Sequence, residues 1–380
     1  MDDISVSIEQ ITQIIEHYAP KSWAETWDNV GLLVGNGAAK VQRILLTLDG
    51  TIAVAQEAAA KKAELIVAHH PLIFEPLKNL RADNPGAATP IYLLRHDIAY
   101  YAAHTNLDQS VHSSSWTIAE ELSLQDAEFL APAGQEGYVK IVVYVPPEAE
   151  EDVRHALVEA GVGTYSGGYE ECFFAGAGIG MFRPLPGAHP AIGVVGVLTR
   201  TAEIRLESIV PERAVRRAVR ALRRAHPYEE PAFDLIPLNN EGQQRGYGVI
   251  GRLSSPQTLE QWIETLLALP CFQGRLTRPA LRLAGDPRQT VRKIAIINGR
   301  GGSFLRQAIF KGADVLITGD ADHHTALDAL ASGVALLDIG HYYSEFPMLQ
   351  RFEEMLRRDP ALSRTEILLS DNPTEPFCRV

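Results

Sequence analysis

The sequence predicts an α/β protein with a discontinuous outer domain, whose sheet is largely buried, and an inserted α+β unit of ferredoxin-like order. Three observations lead there. The chain has 380 residues, more than the roughly 100–200 of a usual domain. Apolar strand patterns alternate with helical ones in both terminal regions, as in a sheet covered by helices. Between them the order becomes β-α-β-β-α-β. The expected boundaries are 1–136 and 239–380 for the outer domain and 137–238 for the insertion.

Residues 4–18 place Ile11, Ile14, Ile15 and Tyr18 at helical spacing and stop before Pro20, as a helix does. RILLTLDG reads as a buried strand ending in a turn, TIAVAQEAAAKKA as a helix, and ELIVAHHP as a second buried strand closed by Pro71. YLLRHD continues as helix, IAYYAAH as strand, and TNLDQS as a polar loop. In the insertion, YVKIVVYVPP alternates like a strand, and EAEEDVRHALVEAG is a helix with an acidic start closed by Gly161. YSGGYEECFFAGAGIGMFRPL reads as one or two strands, and AEIRLESIVP as another. PERAVRRAVRALRRAHP is a helix with proline in its first turn, and AFDLIPL the last strand. The α/β rhythm then resumes through VRKIAIINGRGGSF, LRQAIFKGA, DVLITGD, HHTALDALASG and ALLDIGHYYSEFP.

Composition excludes several classes. The net charge of −12 argues against binding to extended nucleic acid, which needs a basic face. Anionic small molecules stay open, because a metal can supply local positive charge. Cys172, Cys271 and Cys378 are widely separated, which suits packing residues in a reducing cytoplasm. The acidic N-terminus lacks a signal pattern, and no apolar run of roughly 18 residues suggests a membrane span.

The chemistry-bearing residues gather where buried strands finish. His69 and His70 follow LIVA directly, at a place where loops of an open α/β sheet converge on ligands. Consecutive side chains of a regular strand point to opposite faces. If both bind metal, the backbone must turn there, and Pro71 is consistent with that. Asp108 lies just past IAYYAAH. His341 and Glu345 follow a third strand and Gly340, and their i, i+4 spacing places them on one helix face. Each piece alone has an ordinary reading: a surface histidine pair, a turn aspartate, a solvated helix face. Together, imidazoles and carboxylates without thiolate suit Zn²⁺, Fe²⁺, Mn²⁺ or Co²⁺. Five such donors are too few to saturate two ions, so open positions would remain for one activated water and one polarised substrate oxygen.

WDNVGLLVG (27–35), AHHPLIF (68–74), AAHTNLD (102–108), GADVLITGD (312–320), GHYYSE (340–345) and the closing DNPTEPF resemble the NIF-three-like dinuclear metal-centre family of GTP cyclohydrolase 1 type 2 homologues. FRPLPGAHPAIG and AHPYEEPAFDLIPL look like the PII/CutA-like insertion of its long form. The resemblance implies a mixed outer sheet, a homohexamer with metal pairs facing an internal cavity, and two divalent ions per subunit. Its ligands fall on His69, His70, Asp108, His341 and Glu345, with Glu345 or Asp108 bridging. It further implies a metal-dependent hydrolase acting on a nucleotide-like substrate. A metal-dependent phosphoesterase, or a regulatory or metal-handling oligomer without catalysis, is the alternative.

His104, four residues before Asp108, is open to three readings: a partner that orients a ligand, a proton carrier, or strand-end packing. His324 resembles a family histidine near the pocket and is a candidate general acid; His323 reads as surface. The family places Asp28 and Asn29 beside the metals, where they could bind substrate, while Asp49 equally suits a turn. The glycines of NGRGGSF could let backbone approach a phosphate, although the full dinucleotide fingerprint is absent. Arg213, Arg216, Arg217, Arg220, Arg223 and Arg224 read first as a solvated helix face, and His226 to Glu230 as a shaped loop or subunit contact.

Overall fold

A computed structural model describes residues 5–164, 168–277 and 280–377. Residues 165–167, within the glycine-punctuated strand segment, Ile4 and Cys378 lie outside the described residues. The chain divides into two units, Met1–Ala133 with Arg245–Val380, and Gly134–Gln244.

After the two-residue strand Val6–Ser7 the first unit forms the helix Ile8–Tyr18, which starts later than the apolar spacing alone suggests. Ser7 sets the start: its hydroxyl accepts from the Gln10 amide while the Gln10 side chain accepts from the Ser7 amide, a reciprocal capping box. Strand β1 (Arg43–Thr47), helix α1 (Ile52–Lys61), strand β2 (Leu65–Ala68), helix α2 (Pro85–Arg95) and strand β3 (Ala99–Ala102) follow, then the short helix α3 (Thr105–Asp108). The three strands are parallel. Glu366–Leu369 extends this sheet parallel to β1, and Gly31–Val34 runs antiparallel to β3 at the other edge.

The same plan recurs after the insertion. Strand β4 (Thr290–Arg300), helix α4 (Leu305–Phe310), strand β5 (Val315–Gly319), helix α5 (His323–Ala331) and strand β6 (Ala335–Asp338) lead into helix α6 (His341–Glu345). These strands are also parallel, and antiparallel strands flank them in a six-stranded sheet. The sequence reads as one outer sheet, whereas the unit holds two mixed sheets. Alternation of strand and helix cannot distinguish these cases, because each βαβαβ run satisfies the same burial pattern.

Side-chain alternation builds a core on both faces of each sheet. Leu46, Val67 and Tyr101 pack with Ile11, Ile15 and Phe352 on one side of the first. Leu45, Ile66 and Tyr100 pack with Val54, Ala58 and Leu93 on the other. In the second sheet Ile294, Ile296 and Ile317 meet Trp262 and Ile118, while Ala295, Leu316 and Leu336 meet Ala308 and Ala329.

The second unit is an antiparallel sheet in the order Phe233–Leu238, Tyr138–Val145, Thr199–Pro211, Phe174–Phe182. Helices Glu150–Glu159 and Val215–Ala225 contribute Val153, Leu157, Ala218 and Leu222 to its core. Pro211 ends a strand rather than opening the second helix, which begins after the 3-10 turn Glu212–Ala214. The arginines of this segment are exposed, as a solvated face requires. No helix among the described residues is long and apolar enough to cross a membrane.

Candidate metal centre

Chain direction brings the chemistry together in the first unit. Strand β2 ends at Ala68, and His69 and His70 occupy the bend that follows. Their amides donate to Thr47 and Leu48 carbonyls, at 3.2 and 2.8 Å. This local turn lets neighbouring imidazoles share a site, with ring centroids 4.8 Å apart. Strand β3 delivers His104 at the N-cap of α3 and Asp108 at its end. Strand β6 delivers His341 and Glu345 through Gly340, whose φ of +83° is a region glycine enters without steric cost. Each βαβαβ run thus ends in a short helix with an imidazole four residues before a carboxylate, His104 with Asp108 and His341 with Glu345.

Glu345 is the centre of the group. Its Oε2 lies 3.1 Å from His70 Nε2 and 3.2 Å from His341 Nε2. Its Oε1 lies 3.7 Å from His69 Nε2, which is also 3.7 Å from Asp108 Oδ1. The two carboxylate oxygens therefore face two different donor sets. A ring nitrogen of His104 lies within 4.8 Å of those of His69 and His70.

All four rings are oriented through Nδ1. His69 Nδ1 is 2.9 Å from the Ala103 carbonyl, His70 Nδ1 2.8 Å from Asp49, His341 Nδ1 2.8 Å from Asp320, and His104 Nδ1 2.9 Å from Asp28. Acceptors at these positions assign the proton to Nδ1 and leave Nε2 free to ligate. Asp49 is thus more than a turn residue. The sequence reading missed Asp320, although its place after β5 matches that of the other strand-end groups.

The carboxylates dominate the electrostatics. Burial disfavours a charged His70, yet the neighbouring Asp49 and Glu345 carboxylates push its pKa up to about 10. The close approach of the Glu345 carboxylate leads in raising His341 to about 9. Burial opposes protonation of His69, but the charges of Asp108 and Glu345 raise it. Burial would raise Glu345, and the surrounding imidazoles hold it well below the usual range. Burial likewise opposes Asp28 ionisation, while His104 and Thr105 draw its pKa down to about 2.

The donor set fits two divalent cations. His69 Nε2 and Glu345 Oε2 are buried polar atoms with no hydrogen-bond partner among the described residues, a costly state unless something binds them. Tetrahedral ligands about 2.1 Å from a cation lie about 3.4 Å apart, close to the spacings around Glu345. Gly299 leaves room for that carboxylate, since a Cβ there would lie 2.6 Å from Glu345 Oε1. An open cavity of about 690 Å³ adjoins the group, lined by His70, His341, Glu345, Asp49, Arg282 and Tyr343 among others.

The remaining candidates separate clearly. Asp28 reaches the cluster through His104, and Asn29 donates to the Ile73 carbonyl. The Gly299 and Gly301 amides donate to Ser344 and Thr318 hydroxyls, so both are engaged within the fold. Asn298 donates to Asp108 at 2.6 Å. His324 is exposed in the first turn of α5, beside His323, and lies outside both the cluster and the cavity wall.

The pattern of the Duf34/NIF3 (NGG1p interacting factor 3) family matches residues 6–376. The chain belongs to the NIF3 family. Among its relatives, a Bacillus subtilis protein named GTP cyclohydrolase 1 type 2 homolog is 39% identical over 378 residues, 98% of each chain. A protein of the same name from Halalkalibacterium halodurans is 38% identical, covering 97% of this chain and 98% of the other. A crystal structure of a Bacillus cereus protein related to NIF3 superposes with a TM-score of 0.78 at 36% identity, covering 99% of each chain. The mixed α/β architecture described above is that of the NIF3 family.

Proposed function

We propose that this NIF3-family chain is a metal-dependent hydrolase that holds two divalent ions, Zn²⁺, Fe²⁺, Mn²⁺ or Co²⁺, and acts on a nucleotide-like substrate. His69, His70, Asp108, His341 and Glu345 would hold the ions, with Glu345 turned to both donor sets. The observation that carries this reading is Glu345, fully enclosed, with each oxygen turned to a separate donor set and Oε2 lacking a hydrogen bond. The name of the relatives, GTP cyclohydrolase 1 type 2 homolog, supports a nucleotide-like substrate.

Two bound ions supply Lewis acidity, which brings water towards ionisation at neutral pH and polarises a substrate oxygen. The chain's own residues do the rest. Asp28 accepts from His104 Nδ1 and from the Thr105 amide and hydroxyl, so the His104 ring is held beside those of His69 and His70 with Nε2 left as the free nitrogen. His104 Nε2 takes a proton from the attacking water and returns it to the leaving group, as a histidine oriented by a carboxylate does. The Asp49 and Asp320 carboxylates keep the His70 and His341 rings in the ligating orientation.

The test is turnover by the metal-loaded full chain on GTP, other nucleotides and phosphodiesters, beside His69→Ala and Glu345→Ala. Activity lost in both variants with the fold retained supports the reading. Equal activity in wild type and both variants, or no turnover of any substrate by protein carrying both ions, overturns it.

A further inference from the structure

Of the chain's four tryptophans, Trp23 is 3% exposed and Trp262 fully buried, whereas Trp27 is 58% exposed. Trp116 is half-buried. Beside Trp27 stands Phe74, 52% exposed, with ring centroids 5.9 Å apart and planes inclined by 51°. Two large aromatics left in solvent side by side forgo much apolar burial, and their position gives that exposure a meaning. Trp27 meets His104 edge-on, at 6.2 Å, and the His104 ring is 5.1 and 5.5 Å from those of His69 and His70. The pair therefore borders the metal donors.

Both rings rise from fixed backbone. Asp28, next to Trp27, is anchored by three hydrogen bonds to His104 and Thr105. Asn29 donates to the carbonyl of Ile73, the residue before Phe74, which ties the two segments together. A pre-positioned aromatic surface beside a reactive centre suits a planar ring, since every nucleobase has a π-face that stacks.

We infer that Trp27 and Phe74 form a stacking platform for a planar heteroaromatic ring, a nucleobase, and so place the substrate at the edge of the donor cluster. This rests on the hydrolase reading above and deepens it by assigning the residues that select the substrate class. Neither residue is a catalytic group; their part is binding and orientation.

Trp27 is the most solvent-exposed tryptophan, so its fluorescence reports on the platform. The full chain, metal-loaded and chelated, is titrated with guanosine monophosphate and with ribose 5-phosphate, which lacks the ring. Emission is followed together with calorimetric affinity, metal content and sedimentation. Guanosine monophosphate is expected to quench emission in both forms, and ribose 5-phosphate to leave it unchanged. Trp27→Ala should weaken guanosine monophosphate at least about fivefold with metal content intact, and Trp27→Phe should restore most of that affinity. Absent quenching, unchanged nucleotide affinity in Trp27→Ala, or a change in that variant confined to self-association would overturn the platform. Metal content separates the two proposals. Ring binding by a chain that takes up no metal sinks the hydrolase reading alone, and turnover with two ions but no effect of Trp27 sinks the platform alone.

Discussion

Gly299 clears the space that Glu345 occupies: a Cβ at residue 299 would stand 2.6 Å from Glu345 Oε1. The glycine also has a φ of +62°, where a side chain costs about 1–2 kcal/mol. The penultimate residue of strand β4 is thus chosen by the carboxylate opposite. Gly299→Ala is expected to fold with a stability loss of about 1–2 kcal/mol and to bind less metal. Thermal denaturation and elemental analysis check both, and unchanged metal content would contradict the steric reading.

Glu345 and Asp108 should differ in consequence. Each Glu345 oxygen faces its own donors, so Glu345→Gln is expected to weaken both ions. Among the imidazoles of the described residues Asp108 pairs with His69, so Asp108→Asn is expected to weaken one. Metal titration resolves the two patterns, and identical loss from both variants would count against a bridging Glu345.

Asp28 acts through His104. Replacing it with asparagine puts an amide donor within reach of Nδ1 and favours the wrong tautomer. Asp28→Asn is expected to reduce kcat about 100-fold or more with both ions retained and an altered pH profile. Loss of metal, or a change confined to KM, would assign Asp28 a different part.

The metal-free chain should respond to alkali. The pKa of His70 is raised to about 10 and that of His341 to about 9, from 6.5. A raised pKa means the folded state holds the proton more tightly. The stabilisation is complete below about 6.5 and is lost as pH rises through about 9 to 10. Asp28 has the opposite sign: with its pKa near 2 instead of 3.8, its contribution is present above about 4 and lost as pH falls towards 2. Ligation requires neutral imidazole, so metal uptake at pH 7 should release protons. Denaturation of chelated protein across pH and calorimetry in buffers of different ionisation enthalpy check these signs. Flat stability from pH 6.5 to 10 would contradict them.

Much of the site was legible because its groups sit at strand ends marked by local sequence. LIVAHHP, AAHTNLD and DIGHYYSE each join an apolar run to metal-competent side chains, and the family resemblance ordered them. The orienting acceptors were harder to read. Asp320 meets His341 across 21 residues and Asp28 meets His104 across 76, pairings that arise only when the strands are laid side by side. The two sheets were hidden for a related reason, since periodicity reports burial but not which neighbour a strand has. Nor does the sequence tell an exposed tryptophan from a buried one. Trp23 and Trp27 are four residues apart, yet one is in the core and the other in solvent.

Anomalous diffraction from crystals of the metal-loaded protein tests the central claim most directly. Two peaks per chain are expected, one among His69, Asp108 and Glu345 Oε1, and one among His70, His341 and Glu345 Oε2. No peak at Glu345, or a single ion bound elsewhere, would contradict a dinuclear centre bridged by that carboxylate.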